Sequence, residues 1–130
     1  MDWSEVFIVF VLSHLVGDFA LQTEWQARHK RGGLGRDPVA RRALLAHVGT
    51  YTLAFVPAFV WLWDSLGPGV FAMAALVAGT HLIQDDGRLL EAYVRTVKRT
   101  STENHATLMI AVDQTFHALV LFALALVAAG

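Results

Sequence analysis

The chain has 130 residues, enough for one domain, and 55% of them are hydrophobic while only 16% are charged. A soluble chain of this length could bury only part of that apolar surface, so the composition favours a membrane protein. The absence of cysteine excludes disulfides and thiolate metal sites, and any metal would be held by nitrogen and oxygen atoms. The formal net charge of −1 gives no sign of a nucleic-acid partner.

Four apolar segments predict four membrane-spanning helices joined by short connectors. We expect these spans at about residues 3–25, 42–63, 70–86 and 106–129. Trp3 and Trp25 flank the first span, where aromatic rings favour the membrane interface. The acidic start of the chain makes a poor signal peptide, so we expect this span to be retained. Pro57 predicts a bend in the second span, and Gly87 predicts the end of the third.

The ten Lys and Arg residues fall in two clusters, after the first and the third span. The clusters are Arg28, Lys30, Arg31, Arg36, Arg41 and Arg42, then Arg88, Arg95, Lys98 and Arg99. Alternating span directions put both clusters on one side of the membrane, and the positive-inside rule makes that side cytoplasmic. We therefore expect a multi-pass protein of the bacterial inner membrane with both termini outside the cytoplasm. Topology and anionic lipid account for the clusters, so no nucleic-acid partner is needed.

Residues 88–99 place apolar side chains at helical spacing opposite basic ones, which predicts a helix lying on the membrane surface. The complete prediction is an all-α fold: one domain, an integral membrane four-helix bundle, with this basic amphipathic helix between spans three and four. Ala74, Ala78 and Gly79 supply small side chains for close helix packing in span three. The same kind of face would let copies of the chain associate.

Polar side chains interrupt the spans in pairs four residues apart, so each pair shares one helix face. The pairs are His14 with Asp18, His81 with Asp85, and Asp113 with His117, and His47 stands alone early in span two. They lie late in spans one and three and early in spans two and four. Antiparallel packing would therefore bring all seven side chains to one layer in the cytoplasmic half of the membrane.

No Lys or Arg lies in the central part of a span, so we expect the three aspartates to be neutralised by protonation or by a bound cation. Four imidazoles and three carboxylates could hold one or two divalent transition-metal ions, such as zinc, iron or manganese. The candidate ligands are His14, Asp18, His47, His81, Asp85, Asp113 and His117. Gln22 and Gln114 are candidates for hydrogen bonds to these ligands.

Simpler interpretations compete with the metal site. His47 could form a helix–helix hydrogen bond, and each Asp–His pair could satisfy itself without metal. Tyr51, one turn after His47, could orient that imidazole, donate a proton in catalysis, or form an interfacial hydrogen bond. His29 and His105 lie outside the apolar segments and are expected to be solvated. Arg88 could pair with a nearby carboxylate, although we favour contact with lipid phosphates.

The ordered set of polar residues resembles a family of small bacterial and phage membrane proteins, catalogued as domain of unknown function three-three-zero-seven. The shared pattern is His14-x3-Asp18-x3-Gln22-Thr23, His47, His81-x3-Asp85 and Asp113-Gln114-x2-His117. The resemblance covers nearly the whole chain. It implies a helical membrane protein and singles out these same positions, but it implies no particular activity.

The chemistry of these residues favours a metal-dependent membrane enzyme, a hydrolase of a lipid-linked or amphipathic substrate. One of Asp18, Asp85 or Asp113 would be the general base, Tyr51 a proton donor, and membrane lipid the surrounding partner. A proton or divalent-metal transporter is the alternative, since chains of carboxylates and imidazoles also serve transport. Against it, the outer halves of the spans carry few polar residues. A scaffold stabilised by a layer of hydrogen-bonded polar residues is the third interpretation.

Overall fold

The computed structural model describes residues 1–103 and 105–130, and this part of the chain is helical with no β-strand. A π-helical turn, Val16–Ala20, extends the first of seven α-helices. The α-helices are α1 Trp3–Leu15, α2 Glu24–His29, α3 Pro38–Ala54, α4 Val56–Leu66, α5 Gly69–Asp86, α6 Arg88–Thr96 and α7 Ala106–Ala129. The prediction of an all-α fold is confirmed.

The first predicted span is shorter than expected. Asp2 caps α1 by accepting a hydrogen bond from the Ser4 amide, and the π turn closes where Leu21 N–H donates to the Val16 carbonyl. Thr23 and Gln26 then form a reciprocal capping box that starts α2. The segment predicted as the end of a span and the start of a connector is therefore a second, short helix.

The predicted bend in the second span is confirmed. Asp37 caps α3 and Pro38 occupies its first turn, so this helix begins four residues before the predicted start. It stops at Ala54, and α4 continues at an angle of 55°. Pro57 lies in the first turn of α4, where it has no N–H to continue the α3 hydrogen-bond ladder.

The helices after the bend end close to their predicted limits. Gly87 terminates α5 with φ of 83°, a left-handed conformation that favours glycine. The amphipathic helix α6 follows directly, but part of its apolar side is covered by protein. Leu90 and Val94 are buried against Met109 of α7, whereas Leu89 and Val97 are exposed.

The core lies between antiparallel helices. Near the chain start Trp3 meets Phe122 of α7, and one end of the core further on His14 meets Gln114, so α1 and α7 run in opposite directions. The core is apolar from the middle of α1 to the end of α7. Its fully buried members include Val6, Phe10, Phe55, Ala58, Leu62, Val77 and Ala125.

Two helical segments, Trp3–Ala20 and Ala106–Ala129, are long and apolar enough to cross a membrane. The bent pair α3–α4 makes a third if it counts as one span. Large apolar side chains also point outward, and Val60 and Phe71 are each 70% exposed. Apolar surface of this kind is stable in lipid rather than in water.

Candidate functional site: a buried histidine–aspartate cluster

Five polar side chains from four parts of the fold meet in the interior. We call them the His–Asp cluster: Asp18 of the π turn, His47 of α3, His81 and Asp85 of α5, and His117 of α7. Each of the five residues is at most 6% exposed. One ligand-capable atom from each of Asp18, His81, Asp85 and His117 lies within 4.8 Å of the others. Buried groups of this kind need either mutual hydrogen bonds or a cation.

The distances at the centre fit both of these solutions. The Nε2 atoms of His47 and His81 lie 3.0 Å apart. Each is within 3.2 Å of Asp18 Oδ1 and of Asp85 Oδ2. Nitrogen and oxygen ligands about 2.1 Å from one metal are separated by about 3.0–3.4 Å. The four atoms therefore have the spacing of a coordination shell as well as that of hydrogen bonds.

The outer nitrogens of the three imidazoles differ. His117 Nδ1 faces the Asp113 carbonyl oxygen at 2.7 Å, the outer contact that commonly orients a metal-binding histidine. Its Nε2 lies 3.0 Å from Asp85 Oδ1. Because both partners accept hydrogen bonds, this ring must carry two N–H groups or meet a cation at Nε2. Within the described residues, Nδ1 of His47 and Nδ1 of His81 are buried without a hydrogen-bond partner.

Two predicted ligands lie beside the cluster. His14 Nδ1 is 3.0 Å from the Tyr51 hydroxyl and 3.7 Å from Asp18, and its Nε2 is 2.8 Å from Gln114 Oε1. The Asp113 carboxylate is 3.6 Å from His117 Nδ1, and its side chain is 27% exposed. His14 and Asp113 therefore flank the centre, and the His14–Asp18 pair is not equivalent to the His81–Asp85 pair.

Tyr51 orients His81 and His14 rather than His47. Its ring stacks on His81 with centroids 3.4 Å apart and planes inclined by 3°. Its hydroxyl contacts His14, and the residue is 1% exposed. Gln114 holds the other nitrogen of His14. Tyr51 and Gln114 thus fix the rings around the cluster from the side of α3 and α7.

Lys30 is the residue that the sequence did not reveal. Its Nζ donates to Asp85 Oδ2 at 2.6 Å, and a second N–H donates to Gln22 Oε1. The expectation that no Lys or Arg neutralises the aspartates is therefore wrong for Asp85. The cause is α2, which folds back towards α3, while Gly32 N–H donates to the Asp86 carbonyl. The Thr23–Gln26 capping pattern is the sequence signal that could have indicated this reversal.

The remaining predicted residues lie around this centre. Gln22 follows the π turn and its amide donates to the Asp18 carbonyl oxygen. Arg88 pairs with Asp86, at 2.9 Å, and not with Asp85. His29 and His105 are exposed, as expected for solvated residues.

A cavity of 350 Å³ opens beside the cluster, with Lys30, Asp85 and Asp113 in its lining. A larger cavity of 960 Å³ lies at the bend between α3 and α4, against α5. That second cavity is mainly apolar, and Asp64 is its only carboxylate. The smaller cavity is therefore the one that gives access to the buried polar groups.

These features define a helical protein with apolar, membrane-compatible helices around a buried histidine–aspartate centre. The family described as "Protein of unknown function (DUF3307)" matches residues 6–129, and the chain belongs to that family. The resemblance noted from the sequence is thereby confirmed. No curated protein and no solved structure matches the chain.

Proposed function

We propose that this protein is a metal-dependent membrane enzyme that hydrolyses a lipid-linked or amphipathic substrate. The observation that carries the proposal is the meeting of Asp18, His81, Asp85 and His117 within 4.8 Å, in a buried position. His47 adds a fifth donor at 3.0 Å from Asp18 and 2.9 Å from Asp85. These donors suit zinc, iron or manganese, with one or two ions held.

In this proposal the residues around the cluster have separate tasks. A divalent metal supplies the Lewis acidity that activates water for hydrolysis. Asp18 and Asp85 are enclosed by imidazoles, so they serve as ligands. Asp113 lines the cavity and stays partly exposed, which makes it the best placed of the three aspartates to accept a proton from water. Tyr51 keeps His14 and His81 in position, and its hydroxyl can exchange a proton with His14.

The proposed setting is the bacterial inner membrane, with four spans formed by α1, α3–α4, α5 and α7. The basic clusters would face the cytoplasm, both termini would face outward, and α6 would lie at the cytoplasmic surface. The exposed apolar residues Leu89 and Val97 of α6 support contact with lipid there. The substrate would then reach the cavity from the cytoplasmic leaflet.

The apolar core supports an enzyme over a transporter. Beyond the cluster, Phe10, Phe55, Leu62 and Leu121 close the interior, and each is at most 3% exposed. A proton or metal conduit needs polar groups on both sides of the membrane centre. A site reached from one side needs no such path.

A metal-free scaffold is the second candidate, and one specific observation favours it. Lys30 pairs with Asp85, and His117 meets acceptors at both ring nitrogens. A protonated Lys30 and a protonated His117 would balance the charges of Asp18 and Asp85 without metal. The two unpartnered Nδ1 atoms of His47 and His81 count against a complete hydrogen-bonded layer.

Metal content tests the proposal directly. Elemental analysis of the protein purified in detergent should find one or two equivalents of a transition metal. Asp85→Asn should reduce this at least tenfold, because a carboxylate ligand becomes a weak neutral one. The matched control is Asp64→Asn, since Asp64 is exposed and far from the cluster.

Two other outcomes would overturn the enzyme proposal. Protein that lacks transition metal, with stability unchanged by added zinc, iron or manganese, would favour the scaffold. Metal or proton flux into proteoliposomes that Asp85→Asn abolishes would favour transport.

A further inference from the structure

The cavity beside the His–Asp cluster has a cationic wall. Lys30 and Arg31 line it together with Arg28, and Asp85 and Asp113 are its two carboxylates. The Lys30 ammonium has three N–H donors, and two of them donate to Gln22 and Asp85. A third donor therefore remains for a ligand in the cavity.

Arg31 is the cation best placed to meet an added anion. Within the described part of the chain it forms no ion pair, whereas Arg28 pairs with Glu24 at 2.6 Å. The Arg31 side chain is fixed against the start of α6. A methyl group added at Gly87 would lie 3.1 Å from both Cγ and Nε of Arg31. The guanidinium is thus held at the cavity rather than free in solution.

An apolar groove of 380 Å³ joins this cavity. The two share Gln84, Leu90 and Asp113, so they meet where α5, α6 and α7 come together. The groove continues along apolar and aromatic side chains, namely Leu89, Tyr93, Phe116, Leu119 and Val120. Leu89 is 67% exposed and Leu119 is 57% exposed, so the groove is open towards the proposed lipid.

We propose that the cavity and the groove together bind a membrane lipid with a phosphate monoester head and an acyl chain. The phosphate contacts Lys30 and Arg31, and the chain lies in the groove along α7. A phosphate monoester carries close to two negative charges and several acceptor oxygens, which suits two converging cations. The proposal rests on the proposed function, because it names the substrate class of that same site.

Asp113 limits where the phosphate can lie. Its carboxylate stands at the junction of the cavity and the groove, so an anion there would be repelled. The head therefore sits on the Lys30 and Arg31 side. Replacing Asp113 by asparagine should keep or strengthen lipid binding, although the same change removes the proposed base.

Lipid binding by the full chain in detergent, measured by native mass spectrometry, tests the inference. The probe is oleoyl lysophosphatidate, with oleoyl lysophosphatidylcholine and inorganic phosphate as comparisons. We expect lysophosphatidate to bind at least tenfold more tightly than either. Arg31→Gln should weaken its binding at least fivefold, whereas Arg42→Gln, on an exposed residue of the same connector, should leave it unchanged.

A second pair of variants tests the groove. Leu119→Trp should fill it and weaken lysophosphatidate binding at least fivefold, while Leu126→Trp, on another exposed residue of α7 outside the groove, should not. Equal binding of the two lipids, or no difference between Arg31→Gln and Arg42→Gln, would overturn the inference. Repeating the measurement with chelator separates it from the proposed function. Binding that persists without metal supports the lipid site even if the metal proposal fails.

Discussion

Gly17 shows how closely the π turn approaches α3. A methyl group added there would lie 2.6 Å from Tyr51 Cδ2 and 3.2 Å from Tyr51 Cα. The Tyr51 ring cannot move aside easily, because its other face stacks on His81 at 3.4 Å. Only glycine lets Asp18, the next residue, reach the cluster from this side.

We therefore expect Gly17→Ala to destabilise the protein by about 1–3 kcal/mol, the usual range for overpacking. Unfolding by denaturant in detergent micelles measures this. The control is Gly79→Ala, because Gly79 is also helical but has no atom within 4 Å of the added methyl group. That change should be neutral or stabilising, since alanine favours helix more than glycine. Equal effects of the two substitutions would contradict the packing explanation.

At the same scale, Lys30 shows what the sequence could not reveal. The pairs four residues apart identify His81 with Asp85 and Asp113 with His117 as shared helix faces. Which members meet at one centre depends on helix rotation and on the connector after α1, which tertiary packing decides. His14 therefore lies beside the centre, while Lys30 enters it from a segment that composition marks as an ordinary basic connector.

At the scale of elements, α6 is held by a small contact. Val94 is fully buried and Leu90 is 6% exposed, and both pack on Met109 of α7. Tyr93 adds an edge contact with Phe116 at 4.9 Å. This helix forms one side of the groove, so its docking also shapes the proposed lipid site.

Val94→Ala should loosen α6, because two buried methyl groups and their contacts are lost, at a cost of about 2 kcal/mol. Hydrogen exchange followed by mass spectrometry should show faster exchange in residues 88–103. Val97→Ala is the matched control, since Val97 lies one turn later and is 58% exposed. Unchanged exchange in Val94→Ala would mean that α6 does not depend on this contact.

The helices themselves were predictable to different degrees. The last span, α7, matches its predicted limits, and Gly87 ends α5 as expected, because long apolar runs and glycine stops are local signals. The π turn and α2 were not predicted. Both depend on contacts with α3 and α5 that hydropathy alone does not report, so the polar stripe of α1 was extended too far, to Gln22.

At the scale of the whole molecule, the orientation in the membrane is the property that most needs a test. The chain has no cysteine, so single cysteines can be added without removing native ones. Asp64→Cys, between the bent pair and α5, should react with an impermeant maleimide added outside intact spheroplasts. Arg36→Cys and Lys98→Cys should react only after the cells are opened.

The unmodified protein, which should not react at all, provides the control. Labelling of Arg36→Cys from outside the cell would reverse the proposed topology and move the lipid-binding cavity to the opposite leaflet. Labelling of Asp64→Cys and Arg36→Cys from the same side would mean that α3 and α4 do not cross together.

The π turn gives the first span a fixed length. Its wider winding accommodates one residue more than an α-helix would over the same rise. Deleting any residue between Val16 and Ala20 would restore ordinary winding and rotate the two flanking stretches relative to each other by about 100°. His14 and Asp18 could then no longer both face inward, so a chain shortened by one residue here would turn an imidazole or a carboxylate towards acyl chains.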